Sequence, residues 1–232
     1  MNLMPLEATP KRSGNVGIRK ALIRADAAEL EGLLAIPEGA TGIVLFAHGS
    51  GSSRLSPRNV YVSQALQHAG IGTLLFDLLT EREARDRDNV FDIDLLAHRL
   101  SSATKWLRAS EGIDKYTVGY FGASTGAAAA LISAARDPTI RAVVSRGGRP
   151  DLASRYLGQV KAPTLLIVGG EDTQVIAMNE SAFAQLKCDK ALEIVPGATH
   201  LFEEPGTLEE VARLASEWFE RHLRPKQADP AP

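Results

Sequence analysis

Ser124, Asp172 and His200 are the residues whose types and spacing could do covalent chemistry in this chain. Ser124 lies at the centre of Gly122-Ala123-Ser124-Thr125-Gly126, between the apolar run Tyr116 to Phe121 and the Ala-rich run Ala127 to Ala135. That order reads as a strand, a tight turn and a helix, with the serine at the apex. Small residues beside it are a steric need, because a sharp strand-to-helix turn brings backbone against backbone. The turn would lift the hydroxyl clear of the sheet and set it at a helix N-terminus, where unpaired N–H groups and the dipole favour developing negative charge. By itself the pentapeptide fits a glycine-lined turn equally well. Two further segments shift the balance. Asp172 follows the apolar run Thr164 to Val168 through Gly169-Gly170-Glu171, and His200 follows Leu192 to Val195 through Pro196-Gly197-Ala198-Thr199. Nucleophile, acid and base thus stand in that chain order, each just past a predicted strand. Singly, Asp172 reads as an N-cap for a helix over Val175 to Leu186, and His200 as a loop histidine packing on Phe202; jointly the three favour acyl transfer through an activated serine.

Such a serine needs donors for the oxyanion. The strand Gly42 to Ala47 ends in His48-Gly49-Ser50-Gly51, a glycine-flanked turn whose Ser50 N–H supplies one; the N–H of Thr125 supplies the other. His48 then reads as a residue that stabilises this loop, and His68, His98 and His222 fall on predicted helices as surface or packing residues. Cys188 sits in a polar loop without a glycine elbow and is expected to be catalytically idle. Asp151 is the understudy for the acid. Arg54, Arg58, Arg146 and Arg149 all follow predicted strand ends, and Arg54 and Arg146 are the candidates for binding a carboxylate or phosphate on the substrate. Pairing with Asp151 or other acids at the rim is the alternative.

The elements that must hold these residues alternate along the chain. Val16 to Ile23 and Leu30 to Ala35 form an opening hairpin; Gly42 to Ala47, Thr73 to Phe76, Tyr116 to Phe121, Ala142 to Ser145, Thr164 to Val168 and Leu192 to Val195 are nearly continuous apolar runs, as strands buried on both faces require. Helices fill the gaps. Ser56-Pro57 starts one that stops at Gly70; Asp92 to Leu107 carries Ile93, Leu96, Ala97, Leu100, Ala103 and Leu107 on one face; Thr207 and Glu210 make a capping box before the stripe Leu208, Val211, Ala212, Ala215, Trp218 and Phe219. The pattern predicts an α/β fold, a mostly parallel sheet of about eight strands flanked by helices on both faces. Only Arg146 to Ala162 separate two of the strands, too short a stretch for a cap domain. The charged segment Thr80 to Asn89 reads as a solvated loop.

A chain of 232 residues suits one such domain, over 15–224, with a flexible N-terminal segment at 1–14 and a flexible tail at 225–232. With 44% hydrophobic residues, 23% charged residues and a net charge of −2, the composition is that of a soluble globular protein with no cue for nucleic acid. No signal segment or bilayer-length apolar run is visible, so a cytoplasmic location and no membrane contact are expected. One cysteine excludes an internal disulfide, and neither a metal nor an organic cofactor is required by the chemistry. Oligomeric state is not legible.

Ala47-His48-Gly49-Ser50-Gly51-Ser52-Ser53-Arg54, Gly119-Tyr120-Phe121-Gly122-Ala123-Ser124-Thr125-Gly126, Ala162-Pro163-Thr164-Leu165-Leu166-Ile167-Val168-Gly169 and His200-Leu201-Phe202 together resemble the α/β-hydrolase superfamily, and within it the dienelactone hydrolase-like group. The similarity runs from about Val16 to Leu223. It implies the α/β-hydrolase fold, a Ser-His-Asp triad and hydrolysis of a small or extended carboxylic ester. One departure stands out: dienelactone hydrolases proper use a cysteine nucleophile, whereas position 124 is serine. That weakens transfer of the dienelactone substrate and leaves ester hydrolysis intact. A peptidase or thioesterase with the same triad, and a non-catalytic ligand-binding protein on this fold, are the alternatives.

Overall fold

A computed structural model describes residues 16–224; both flexible segments expected at the termini, 1–14 and 225–232, lie outside the described residues. The opening hairpin is β1 (Ile18–Ala25) and β2 (Ala28–Ala35), paired antiparallel. There follow β3 (Gly42–Ala47), α1 (Pro57–His68), β4 (Gly72–Phe76), α2 (Arg87–Phe91), α3 (Ile93–Ala109), β5 (Thr117–Ala123), α4 (Thr125–Arg136), β6 (Ala142–Arg146), β7 (Thr164–Gly169), α5 (Thr173–Gln185), β8 (Lys190–Val195) and α6 (Thr207–Leu223). Strand order is β1-β2-β4-β3-β5-β6-β7-β8, parallel from β4 to β8. The eight strands and the helices on both faces match the sequence reading.

Continuous apolar strands bury both faces because alternate side chains serve two cores. Ile43, Leu45, Val118 and Tyr120 face one, with α3, α4, α5 and the hairpin; Val44, Phe46 and Phe121 face the other, with α1 and α6. Phe46 and Phe121 meet there with ring centroids 4.9 Å apart. On the first face Tyr120 carries a hydroxyl into the core, bonded to Thr104 at 2.7 Å, and burial pushes its pKa up to about 12. The segment between β6 and β7 is a 3₁₀ helix, Pro150–Gln159, packed on α4 and α5; no cap domain is present among the described residues.

Two local expectations need correction. Thr207 and Glu210 form no capping box: the N-cap is Gly206 in the left-handed region, Thr207 Oγ1 donates to the Glu204 carbonyl at 2.7 Å, and Glu210 pairs with Arg213. The segment Thr80 to Asn89 is also folded, with a 3₁₀ turn at Glu83–Arg85 and the start of α2, whose N-cap Asp86 accepts from Asp88 N–H at 3.0 Å.

Candidate active site

Ser124 occupies the turn between β5 and α4 with φ 50° and ψ −121°, a left-handed backbone that a non-glycine residue adopts at a cost of roughly 1–3 kcal/mol. Its flanks explain how that conformation is held. A Cβ on Gly122 would strike the backbone of Ala127, and one on Gly126 would strike the carbonyl oxygens of Ala47 and His48, so this turn closes only with glycine at both places. Ser124 N–H donates to the Arg146 carbonyl at 3.2 Å, and the Ser124 carbonyl accepts from Arg149 N–H at 3.1 Å. The nucleophile candidate is therefore clamped between β5 and the end of β6.

Asp172 stands at the N-cap of α5 yet makes no side-chain cap; its Oδ2 lies 2.6 Å from Nδ1 of His200. A carboxylate facing Nδ1 holds the imidazole with its proton on that nitrogen, which leaves Nε2 free to accept. His200 rides on a turn braced by Glu204, which accepts from Thr199 N–H at 3.0 Å, and by Phe202, buried with φ 56°. The ring of His200 abuts Gly147, where an added Cβ would lie 3.6 Å from its Cε1. Gly147 follows the residue that holds Ser124 N–H, so the His200 ring and the Ser124 turn approach each other beyond the carboxyl ends of β5, β7 and β8, where ligands of such sheets bind, although no hydrogen bond joins Ser124 to His200 among the described residues.

The oxyanion donors are less simple. Thr125 is the first residue of α4, so its N–H has no intrahelical acceptor. Ser50 N–H is engaged, donating to Thr125 Oγ1 at 2.9 Å. His48 fixes the same loop: its Nδ1 meets the Gly49 carbonyl at 3.0 Å and its Nε2 accepts from Leu78 N–H at 3.0 Å. Burial holds its pKa below the ordinary histidine value, in keeping with a neutral, structural imidazole.

The arginines separate sharply. Arg54 is already paired: its guanidinium meets Asp77 and Glu31, and its backbone N–H donates to Asp77 at 2.7 Å. Arg149 grips Asp151 through two bonds of 2.9 and 2.8 Å, whereas the carboxylate in contact with His200 is that of Asp172. Arg58 reaches Glu203 at 3.2 Å. Arg146 has no carboxylate partner among the described residues; it donates to Asn59 at 3.3 Å and lies over the Phe202 ring, 5.9 Å from the centroid. Burial and the nearby Arg58 push its pKa down to about 10. Through the Phe202 ring Arg146 touches the turn that carries His200. Cys188 is half-buried, its thiol raised in pKa by burial and bonded to Thr164.

Sequence reasoning missed one feature, a cavity of about 310 Å³ walled by the Ser50 loop and by Asp77, Leu79, Glu81, Ala84, Val90 and Leu96. No periodicity in the charged segment signals it, because the wall is held by a distant partner. Glu83 accepts from Thr80 N–H and hydroxyl, both at 2.9 Å, and from buried Arg99 at 2.6 Å. Burial raises the Glu83 pKa, but the Thr80 and Arg99 bonds outweigh it and leave it below the ordinary 4.5. A depressed carboxylate pKa stabilises the fold above the unfolded value and ceases to do so as pH falls through the folded one. Glu83→Gln should therefore lower stability in urea by about 1–3 kcal/mol at pH 7, with the gap to the unsubstituted protein closing on acidification below 4.5. A gap unchanged down to pH ~3 would refute the linkage.

Among the described residues no cluster of three or more His, Cys, Asp or Glu side chains is placed to hold a metal ion, and no helix is long and apolar enough to cross a membrane.

Comparison with known proteins agrees with the fold. The family model described as the dienelactone hydrolase family matches residues 30–224. A crystal structure of dienelactone hydrolase from Anabaena variabilis is 59% identical, with a TM-score of 0.89, covering 90% of this chain and 99% of that one. Est1E from Butyrivibrio proteoclasticus shares the fold at a TM-score of 0.75 and 15% identity, over 87% of this chain and 98% of its own. Two Mycobacterium tuberculosis proteins, each provisionally named a phosphoribosyl transferase, are 61% identical over 194 residues, 83% of this chain and 44% of theirs. The chain thus spans less than half the length of these curated relatives.

Proposed function

The chain belongs to the dienelactone hydrolase family, and from that premise we propose that it is a serine hydrolase cleaving carboxylic esters through an acyl-enzyme. The observation that carries this reading is the 2.6 Å contact of Asp172 with His200 Nδ1, made by a carboxylate that leaves its own helix uncapped. His200 takes the proton of Ser124 as the hydroxyl attacks the ester carbonyl, and Asp172 stabilises the imidazolium. The oxyanion forms beside Thr125 N–H and Ser50 N–H, displacing the Thr125 hydroxyl as acceptor of the latter; each such donor contributes about 3 to 4 kcal/mol where it has been measured. His200 then returns the proton to the leaving alcohol. Water cleaves the acyl-enzyme with His200 again as base.

Phosphoribosyl transfer, the name borne by the Mycobacterium tuberculosis relatives, is assigned in this reading to the part of those proteins outside the 194 matched residues.

A panel of p-nitrophenyl esters, thioesters and peptide anilides, with fluorophosphonate labelling of the purified protein, tests the proposal. Ester turnover with a labelled serine supports it. Preference for thioesters or peptides would redirect the reaction class, and neither label nor turnover would favour a ligand-binding protein.

A further inference from the structure

Sheet order divides the surroundings of Ser124. β3 and β4 lie on one side of β5, and β6, β7 and β8 on the other. Asp172 and His200 come from the loops after β7 and β8, while the cavity is walled by the loops after β3 and β4. In the ester hydrolysis proposed above, His200 must hand its proton to the departing alkoxide, so the leaving group departs on the β8 side. The acyl substituent stays on the serine, and the space beside the Ser50 oxyanion donor on the β3 and β4 side is this cavity.

We propose that this cavity is the acyl pocket and that it selects an uncharged, apolar acyl chain. Leu79 and Leu96 are buried in its wall, Val90 is half-buried, and Ala84 and Glu81 are exposed, at its opening. The volume of about 310 Å³ is roughly twice the ~150 Å³ that encloses benzene in a dry cavity, enough for a phenyl ring on a short chain. Charge sets the second half of the selection. Glu81 makes no hydrogen bond or ion pair among the described residues, and Asp77 is held by Arg54, whose one positive charge is shared with Glu31. The cavity wall carries two carboxylates, Asp77 and Glu81, of which only Asp77 is paired among the described residues, with Arg54. Arg82, Arg85 and Arg87 of the same segment are exposed and do not line the cavity. A carboxylate on the acyl chain meets Asp77 and Glu81 there and no unpaired cation among the lining residues, which disfavours an anionic acyl group.

The inference rests on the hydrolase reading, so the test separates the two. With p-nitrophenyl acetate, 3-phenylpropanoate and hemiglutarate, kcat/KM should favour the phenylpropanoate over the hemiglutarate by roughly tenfold or more. Val90→Trp and Ala84→Phe should each cut phenylpropanoate turnover by about tenfold and leave acetate within about twofold. Glu81→Gln should raise hemiglutarate turnover several-fold without changing acetate. Equal losses on acetate and phenylpropanoate, or sensitivity of Val90→Trp to the alcohol half in 3-phenylpropyl acetate instead, would overturn the pocket assignment. A hemiglutarate rate unmoved by Glu81→Gln would overturn the charge selection. Should no ester turn over and no serine label, the hydrolase reading fails; calorimetric binding of 3-phenylpropanamide, lost in Ala84→Phe, would still support the cavity, and its absence in the unsubstituted protein would sink that as well.

Discussion

Ser124→Ala is expected to lower kcat on any ester the protein accepts by about 10⁵- to 10⁶-fold and to eliminate fluorophosphonate labelling. The hydroxyl is the atom that forms the acyl bond, so its loss leaves only binding and the oxyanion donors to act on water. Stability should change by less than about 1 kcal/mol. The side chain of Ser124 makes no cap to α4, and the left-handed backbone at this position is imposed by Gly122, Gly126 and the bonds to Arg146 and Arg149, all of which remain. Alanine inherits the same strain without adding to it. A variant that unfolds would show that the hydroxyl holds the turn; one that keeps more than about a hundredth of the activity would show that another nucleophile operates.

The elbow was legible because its chemistry and its sterics use the same letters. Strand, Gly-Ala-Ser-Thr-Gly and Ala-rich helix are local signals, and the collisions that a Cβ would create at Gly122 and Gly126 are the reason those letters are glycine. Asp172 and His200 were legible by position after a strand, since parallel strands read as apolar runs. What the sequence hid were pairings between residues far apart in the chain. Arg54 meets Asp77 and Glu31, Ser50 N–H meets Thr125, and Arg99 crosses to Glu83; none of these leaves a local pattern. The segment from Thr80 to Asn89 shows the consequence most clearly. Its charges look solvated in one dimension, yet one of them, Glu83, anchors the wall of a cavity while Leu79 and Val90 on either side face inward. The capping box failed for a different reason: the helix starts one residue early at a left-handed Gly206, so Thr207 is inside it and not at its cap.

Asp172→Asn should reduce kcat by about 10⁴-fold with KM little changed. The carboxylate accepts from His200 Nδ1 at 2.6 Å and so places the remaining lone pair on Nε2, the nitrogen that must accept the Ser124 proton in the proposed mechanism. An asparagine can face Nδ1 with either its oxygen or its amide nitrogen. The nitrogen, as donor, would favour the opposite tautomer, with Nε2 protonated and unable to accept from Ser124; either way the charge that stabilises the imidazolium is gone. Fluorophosphonate labelling should slow in parallel, because it needs the same proton transfer. Asp151→Asn is the matched control. Asp151 is held two-pronged by Arg149 and makes no contact with His200 among the described residues, so its loss should leave kcat within a few-fold. If Asp151→Asn proved the more damaging of the two, the acid of the triad would have been misassigned, and the 2.6 Å contact would be a structural brace for the His200 turn.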